Sequence, residues 1–488
     1  MRSRFPLKQW WGLVLLCVGL GACQPEAAHA VRTERAEQIE RAEEANPVLR
    51  YNVTYVHEPE PGIDVEVVRV HDAPQDFLFT DGGGVATVEA YDEAGGVQEL
   101  PVREGQVIVP SSTRFLRYHY PLGEGRRSRR RRWGSFGGMG EGDAWLIAGK
   151  AWLIRPRVAD PDMQVELSMQ GKDVLLPWQP GPGGLYHLKA DDLVDSGIHG
   201  FGGRRCQAKL SDAVMEVAIE GQMAHVTDEQ LCDWLRQTGE EVRKIRRDFP
   251  YPRITVVVYP VPGRDEANVF GMVMWSSPPS VALLVGQDTT LDALSEDWVA
   301  LHEMLHLTHP AILPRTPWIS EGLATYLTEI ARSRAGRHSA ERSWEELLDG
   351  FQRGRRQAHG RTTEEMIDED EPPGIYWVGA WLALRIDVEL RRATGNQKGL
   401  EDVLELLATQ GSTATVASYG AAVDAVAGRP LFDALLAEEL RQPAFAGLEG
   451  LLQTLGVTPT PGGVKLHPAR DSMLREALDG QSASRAQK

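Results

Sequence analysis

His302-Glu303-Met304-Leu305-His306 places two imidazoles four residues apart with a carboxylate between them. On a helix, positions i and i+4 share a face. His302 and His306 can therefore aim at one metal ion, and Glu303 stands within reach of a water bound to it. The chemistry this implies is metal-assisted hydrolysis. A catalytic zinc needs a third protein ligand and one open position. Glu321 is the candidate, with fourteen residues between it and His306.

These side chains need two helices to position them. Leu291, Leu294, Trp298, Leu301 and Leu305 recur at steps of three and four, which predicts one continuous amphipathic helix started by Thr289 or Thr290. Pro310 and Pro314 then force a loop, and His309 lies in it before a proline, as a surface residue or one behind the ligands. Thr316-Pro317 predicts a second helix start, with Thr316 as cap. Ile319, Leu323, Leu327 and Ile330 give that helix its own core face. Packed against the first, it turns Glu321 toward the histidines.

The bare motif also fits a plain helix with two satisfied histidines. What favours the metal is Trp318-Ile319-Ser320-Glu321-Gly322-Leu323-Ala324-Thr325-Tyr326. It resembles the segment carrying the third ligand, a Glu, in aminopeptidase N and the glycyl aminopeptidases. Tyr376-Trp377-Val378-Gly379-Ala380, followed by Asp387 and Arg391, resembles a further segment of the glycyl aminopeptidase family. There the Tyr stabilises the tetrahedral intermediate, so the resemblance implies that role for Tyr376, with Tyr326 as its rival. Val378 stands where the family usually has Lys. Gly271-Met272-Val273-Met274 occupies the place of the substrate-binding strand, making Gly271 and Met272 candidate substrate contacts. It lacks the acid that aminopeptidase N carries there. Asp368-Glu369-Asp370-Glu371, just before Tyr376, could hold a substrate amine or form a solvated loop.

The resemblance implies one Zn²⁺ per chain, held by His302, His306 and Glu321, with Glu303 as base. Its substrate would be a peptide or protein, cut by an aminopeptidase. A zinc endopeptidase of the same fold is an alternative. So are a zinc hydrolase of non-peptide bonds and a non-catalytic envelope lipoprotein that binds or assembles other components. The fold expected is α+β: a β-sandwich-like N-terminal domain, then a thermolysin-like zinc peptidase domain with a helical C-terminal part.

Composition is that of a globular protein, with 42% hydrophobic and 25% charged residues, which excludes a disordered chain. Residues 1–22 read as a signal peptide: Arg2, Arg4 and Lys8 precede an apolar run too short to span a membrane. Leu20-Gly21-Ala22-Cys23 resembles the lipobox of bacterial lipoproteins. That implies a lipid on Cys23, attachment to the cell envelope and, with Gln24 next, the outer membrane. Loss of Arg2, Arg4 and Lys8 with the leader takes the formal charge from −17 to −20, which argues against nucleic acid as a partner. Export permits a disulfide between Cys206 and Cys232; two buried thiols are the other reading.

The remaining boundaries follow from composition. Residues 23–46 form a tether, 47–207 a β-rich domain, 208–345 the catalytic domain, 346–470 its helical continuation and 471–488 a loose tail. An arginine run, Arg126, Arg127 and Arg129 to Arg132, interrupts the β-rich part as a solvated loop or a contact for anionic lipid or polysaccharide.

Overall fold

Alternation shapes the first half of the chain. In the computed structural model, described for residues 48–480 except 59, 71–73, 80–83, 123–138, 142–143, 159 and 161, Leu49, Tyr51, Val53 and Tyr55 are buried and the residues between them face out. That is the period of a strand with one wet face. Seven strands build the sheet: β1 (Leu49–Val56), β2 (Gly62–Arg69), β3 (Thr87–Asp92), β4 (Val97–Pro101), β5 (Thr113–Pro121), β6 (Gln164–Gln170) and β7 (Leu185–Lys189). Their spatial order is β7-β6-β1-β2-β5-β3-β4. Every pair is antiparallel except β1 with β6. A three-stranded and a four-stranded sheet complete the second layer, with Phe77, Val107, Trp145, Ile147 and Phe201 sharing one core with Tyr51, Val65 and Leu116. Hydroxyls of Tyr51 and Tyr118 cross the layers to the carbonyls of Ile154 and Trp152, each at 3.0 Å.

The second half is built on five strands: β8 (Arg204–Lys209), β9 (Val214–Ile219), β10 (Arg253–Val261), β11 (Phe270–Met274) and β12 (Ser280–Gly286), ordered β8-β9-β10-β12-β11. β12 is buried along its whole length, as a strand covered on both faces must be. β11 runs antiparallel to it on the sheet edge and is half-buried throughout. The four-stranded sheet packs on this one through Leu146, Ala148, Ile198, Ala218, Val257 and Ala282. Arg205 and the fully buried Glu220 pair at 3.0 Å near this seam. Burial pushes the Glu220 carboxyl up to about 8 against the pull of Arg205.

Helices follow. α1 (Asp228–Val242) begins with a reciprocal cap between Thr227 and Gln230, and a Cys206–Cys232 disulfide ties it to β8. Then come α2 (Leu291–Glu296), α3 (Val299–His306), α4 (Pro317–Arg334), α5 (Ala340–Ala358), α6 (Thr363–Glu369) and α7 (Gly374–Ala393). Shorter helices and one hairpin lead to a last helix, Ser472–Leu478. The whole is an α+β fold with a sheet-rich N-terminal region and a helical C-terminal part. Among the described residues, no helix is long and apolar enough to cross a membrane.

Three expectations change. The helix predicted from Thr289 or Thr290 through His306 is two helices, broken at extended Asp297. Asp297 Oδ1 accepts from the Val299 amide at 2.7 Å and from Asn268 at 2.6 Å. The break turns Trp298 outward, 47% exposed, away from the core stripe assigned to it. Thr316 precedes α4 without a side-chain cap bond; its hydroxyl donates to the Pro314 carbonyl instead. Residues 471–480 are no loose tail: Leu474 and Leu478 are buried, and Asp479 accepts from Trp344 Nε1 at 3.2 Å. The leader, Cys23, the tether and the arginine run Arg126 to Arg132 lie outside the described residues.

Candidate metal centre

α3 presents His302 and His306 one turn apart, and the second turn of α4 brings Glu321 opposite them. Glu321 Oε2 lies 3.3 Å from His302 Nε2 and 3.4 Å from His306 Nε2. All three donor atoms fall within 4.8 Å of one another. Tetrahedral zinc bonds of about 2.0–2.1 Å put neighbouring ligand atoms roughly 3.3–3.4 Å apart. Two imidazoles and a carboxylate with that spacing fit a zinc ion bearing one open position. The imidazole planes are perpendicular, 5.0 Å between centroids. Burial works against the Glu321 charge, and His306 and His302 outweigh it, holding the carboxyl well below the usual carboxylate range.

Glu303 sits between α3 and the edge strand β11. Burial pushes its carboxyl up to about 7, with His306 opposing and Glu321 adding to the rise. The Val273 backbone also acts on it. This close approach requires glycine at 271. A Cβ there would stand 2.6 Å from Glu303 Cγ and 2.8 Å from Val299 Cγ1. Met272, the other candidate contact, is half-buried on the same strand.

Tyr376 is in the first turn of α7, half-buried. Burial and the charges of Glu321 and Glu303 push its phenol up to about 12, with Arg315 opposing. At neutral pH it is therefore a hydrogen-bond donor. α7 comes this near α4 because glycines meet at the crossing: a Cβ on Gly322 would stand 2.4 Å from the Gly379 backbone. Tyr326 is fully buried, and its hydroxyl donates to Asp387 at 2.9 Å. Asp387 also pairs with Arg391 at 3.0 Å and accepts from the Leu400 amide. That network joins α4 to α7 and keeps Tyr326 away from the ligands.

The acidic run divides. Glu369 pairs with Arg361. Asp368, Asp370 and Glu371 are exposed and make no ion pair among the described residues. Asp370, left-handed at φ 51°, ends α6 and acts on the Tyr376 phenol. His309 is no surface residue: it is 2% exposed, 5.8 Å from the His306 ring and 6.0 Å from that of Trp275. Burial pushes its imidazole down to about 4, so it is neutral. Sequence reasoning missed the glycine crossing and the Asn268–Asp297 clasp. The spacing of His309, three residues past His306, was the available signal for its burial beside that ring.

The sequence matches no protein-family model and no curated protein. Among solved structures, the fold is similar to that of an aminopeptidase N family protein from Idiomarina loihiensis: TM-score 0.62 at 15% identity, over 84% of this chain and 78% of that one. Two others match with lower scores. They are yeast LTA4 hydrolase, 0.47 at 11% over 84% and 71%, and a two-domain M1 zinc metallopeptidase bound to L-arginine, 0.45 at 15% over 81% and 93%. At 15% identity the first likeness is one of fold.

Proposed function

We propose that this chain is a zinc metallopeptidase that acts from the N-terminus of its substrate. One observation carries the reading: Glu321 Oε2 stands 3.3 and 3.4 Å from the two histidine nitrogens, with all three donor atoms within 4.8 Å of one another, and the half-buried Glu303 carboxyl beside them is raised toward neutrality. His302, His306 and Glu321 would hold the metal. Bound there, zinc would polarise the scissile carbonyl and acidify a water molecule.

The chain's own groups supply the rest. Glu303 takes a proton from the attacking water and delivers it to the leaving amine, a task suited to a carboxyl poised near 7. Tyr376 donates to the oxyanion, where removal of one donor typically costs about 10²–10³ in rate. β11 lines the cleft beside Glu303, so Gly271 and Met272 meet the substrate backbone.

The aminopeptidase reading needs a carboxylate for the substrate ammonium, because a desolvated cation requires a partner. Asp370, whose charge acts on the Tyr376 phenol, supports it. A zinc endopeptidase is the second reading, favoured by the acid-free strand Phe270–Met274 and by Arg361 occupying Glu369. The attachment to the envelope through lipidated Cys23 belongs to the same proposal and rests on the sequence alone.

The test uses purified protein without residues 1–22. Zinc should be present at one per chain, and His306→Ala should lose it. Glu303→Gln should keep zinc and lose turnover. A matched peptide pair, free and N-acetylated, then separates the readings: equal cleavage of both sinks the aminopeptidase and leaves the endopeptidase.

A further inference from the structure

We infer that His309 is a positioning residue for the metal centre: its Nε2 accepts the hydrogen bond that a metal-bound His306 must give from Nδ1. The inference rests on the zinc reading above.

The tautomer of His309 follows from its contacts. Nδ1 lies 2.8 Å from the Pro310 carbonyl oxygen. A carbonyl only accepts, so Nδ1 carries the proton. Nε2 is then a bare acceptor, and it is buried with no hydrogen-bond partner among the described residues. Such an atom needs a donor.

His306 has the complementary need. Its Nε2 faces Glu321 at 3.4 Å, the side on which a metal would bind. An imidazole that ligates through Nε2 keeps its proton on Nδ1. Metal-bound histidines almost always give that proton to an acceptor behind them, which fixes ring orientation and strengthens the ligand. The His309 ring stands edge to face with His306, 81° between planes and 5.8 Å between centroids. The inference requires that Nε2 be reached from there after a small rotation or through one water. Trp275, just past β11, walls His309 at 6.0 Å. His302 is not the partner: its ring neighbours are Trp298 and His306.

Two substitutions separate the ends of the ring. His309→Asn retains a polar group near the Nδ1 position and the Pro310 contact, but removes the acceptor. His309→Gln places an amide oxygen near the Nε2 position and gives up the Pro310 contact. Zinc affinity is measured by competition with a fluorescent chelator. The asparagine variant should bind zinc about 10–100-fold more weakly, and the glutamine variant within a few-fold of wild type. The visible spectrum of the cobalt-loaded asparagine variant should differ from that of the other two proteins. Equal affinity in all three, or a glutamine variant weaker than the asparagine one, overturns the inference. If the asparagine variant does not fold, the glutamine variant decides alone: a tenfold loss overturns the inference. A wild-type protein that takes up no zinc removes the proposed function, and this inference with it.

Discussion

Gly379→Ala adds one methyl group where α7 crosses α4. A Cβ at that position would stand 2.0 Å from the Trp318 carbonyl oxygen and 2.7 Å from Gly322 Cα. Ordinary contact begins at 3.4 Å. Both obstacles are backbone, so no side chain can swing aside, and the helices must separate by up to roughly 1.4 Å, the gap between 2.0 and 3.4 Å. Overpacking of this kind costs about 1–3 kcal/mol. The larger effect falls on activity. Tyr376 is three residues from the crossing on α7 and Glu321 is one residue from it on α4, so the opening moves the phenol away from the ligands. A displacement of about 1 Å at a reacting group costs on the order of 10²-fold. The expected variant folds with a lowered urea midpoint, retains one zinc per chain, and loses kcat far more than it raises KM. Zinc survives because all three ligands lie on α3 and α4. A normal kcat with a lowered midpoint would separate Tyr376 from the chemistry. An unchanged midpoint would refute the close crossing itself.

Tyr376→Phe should bind zinc and lower kcat with little change in KM, as for an interaction made only in the transition state. Tyr326→Phe should instead lower stability by about 1–3 kcal/mol, because it strips a partner from buried Asp387, with kcat unchanged; swapped signatures would reassign the tyrosines. Glu220→Gln should flatten the pH dependence of stability. The folded carboxyl, at about 8, lies above its unfolded value near ~4.3, so the wild type's contribution is complete below the lower value and is lost as pH rises through 8. Urea midpoints from pH 5 to 9 should show the variant gaining on the wild type, and a constant difference would contradict the burial argument. Cys23→Ser should release the chain from the membrane fraction or leave it unprocessed; unchanged lipid labelling would remove Cys23 as the anchor.

What could be read from the sequence was local. His302, His306 and the pairing of Thr227 with Gln230 are fixed by spacing within one helix turn, and Glu321 by a pattern on the next helix. The failures share a different form. Each involves a polar residue whose surroundings come from far along the chain. Asp297 looks like one more helical position until Asn268, from before the edge strand, clasps it and Val299 takes its other bond. His309 could be read from its proline loop either as surface or as lying behind the ligands, and only its burial against Trp275 and His306 selects the second. Asp479 belongs to a polar stretch that reads as a tail, yet it is buried because Trp344 donates to it. The crossing of α4 and α7 is equally long-range without being polar, since neither Gly322 nor Gly379 announces its partner. The question of the amine anchor is of the same kind. Four successive acids are indistinguishable in the sequence, but Arg361 engages Glu369, and the left-handed turn at Asp370 leaves that carboxylate acting on Tyr376. Asp370→Asn should therefore weaken cleavage of free peptides more than Asp368→Asn does, while acetylated peptides respond to neither; equal effects would return the acidic run to mere surface.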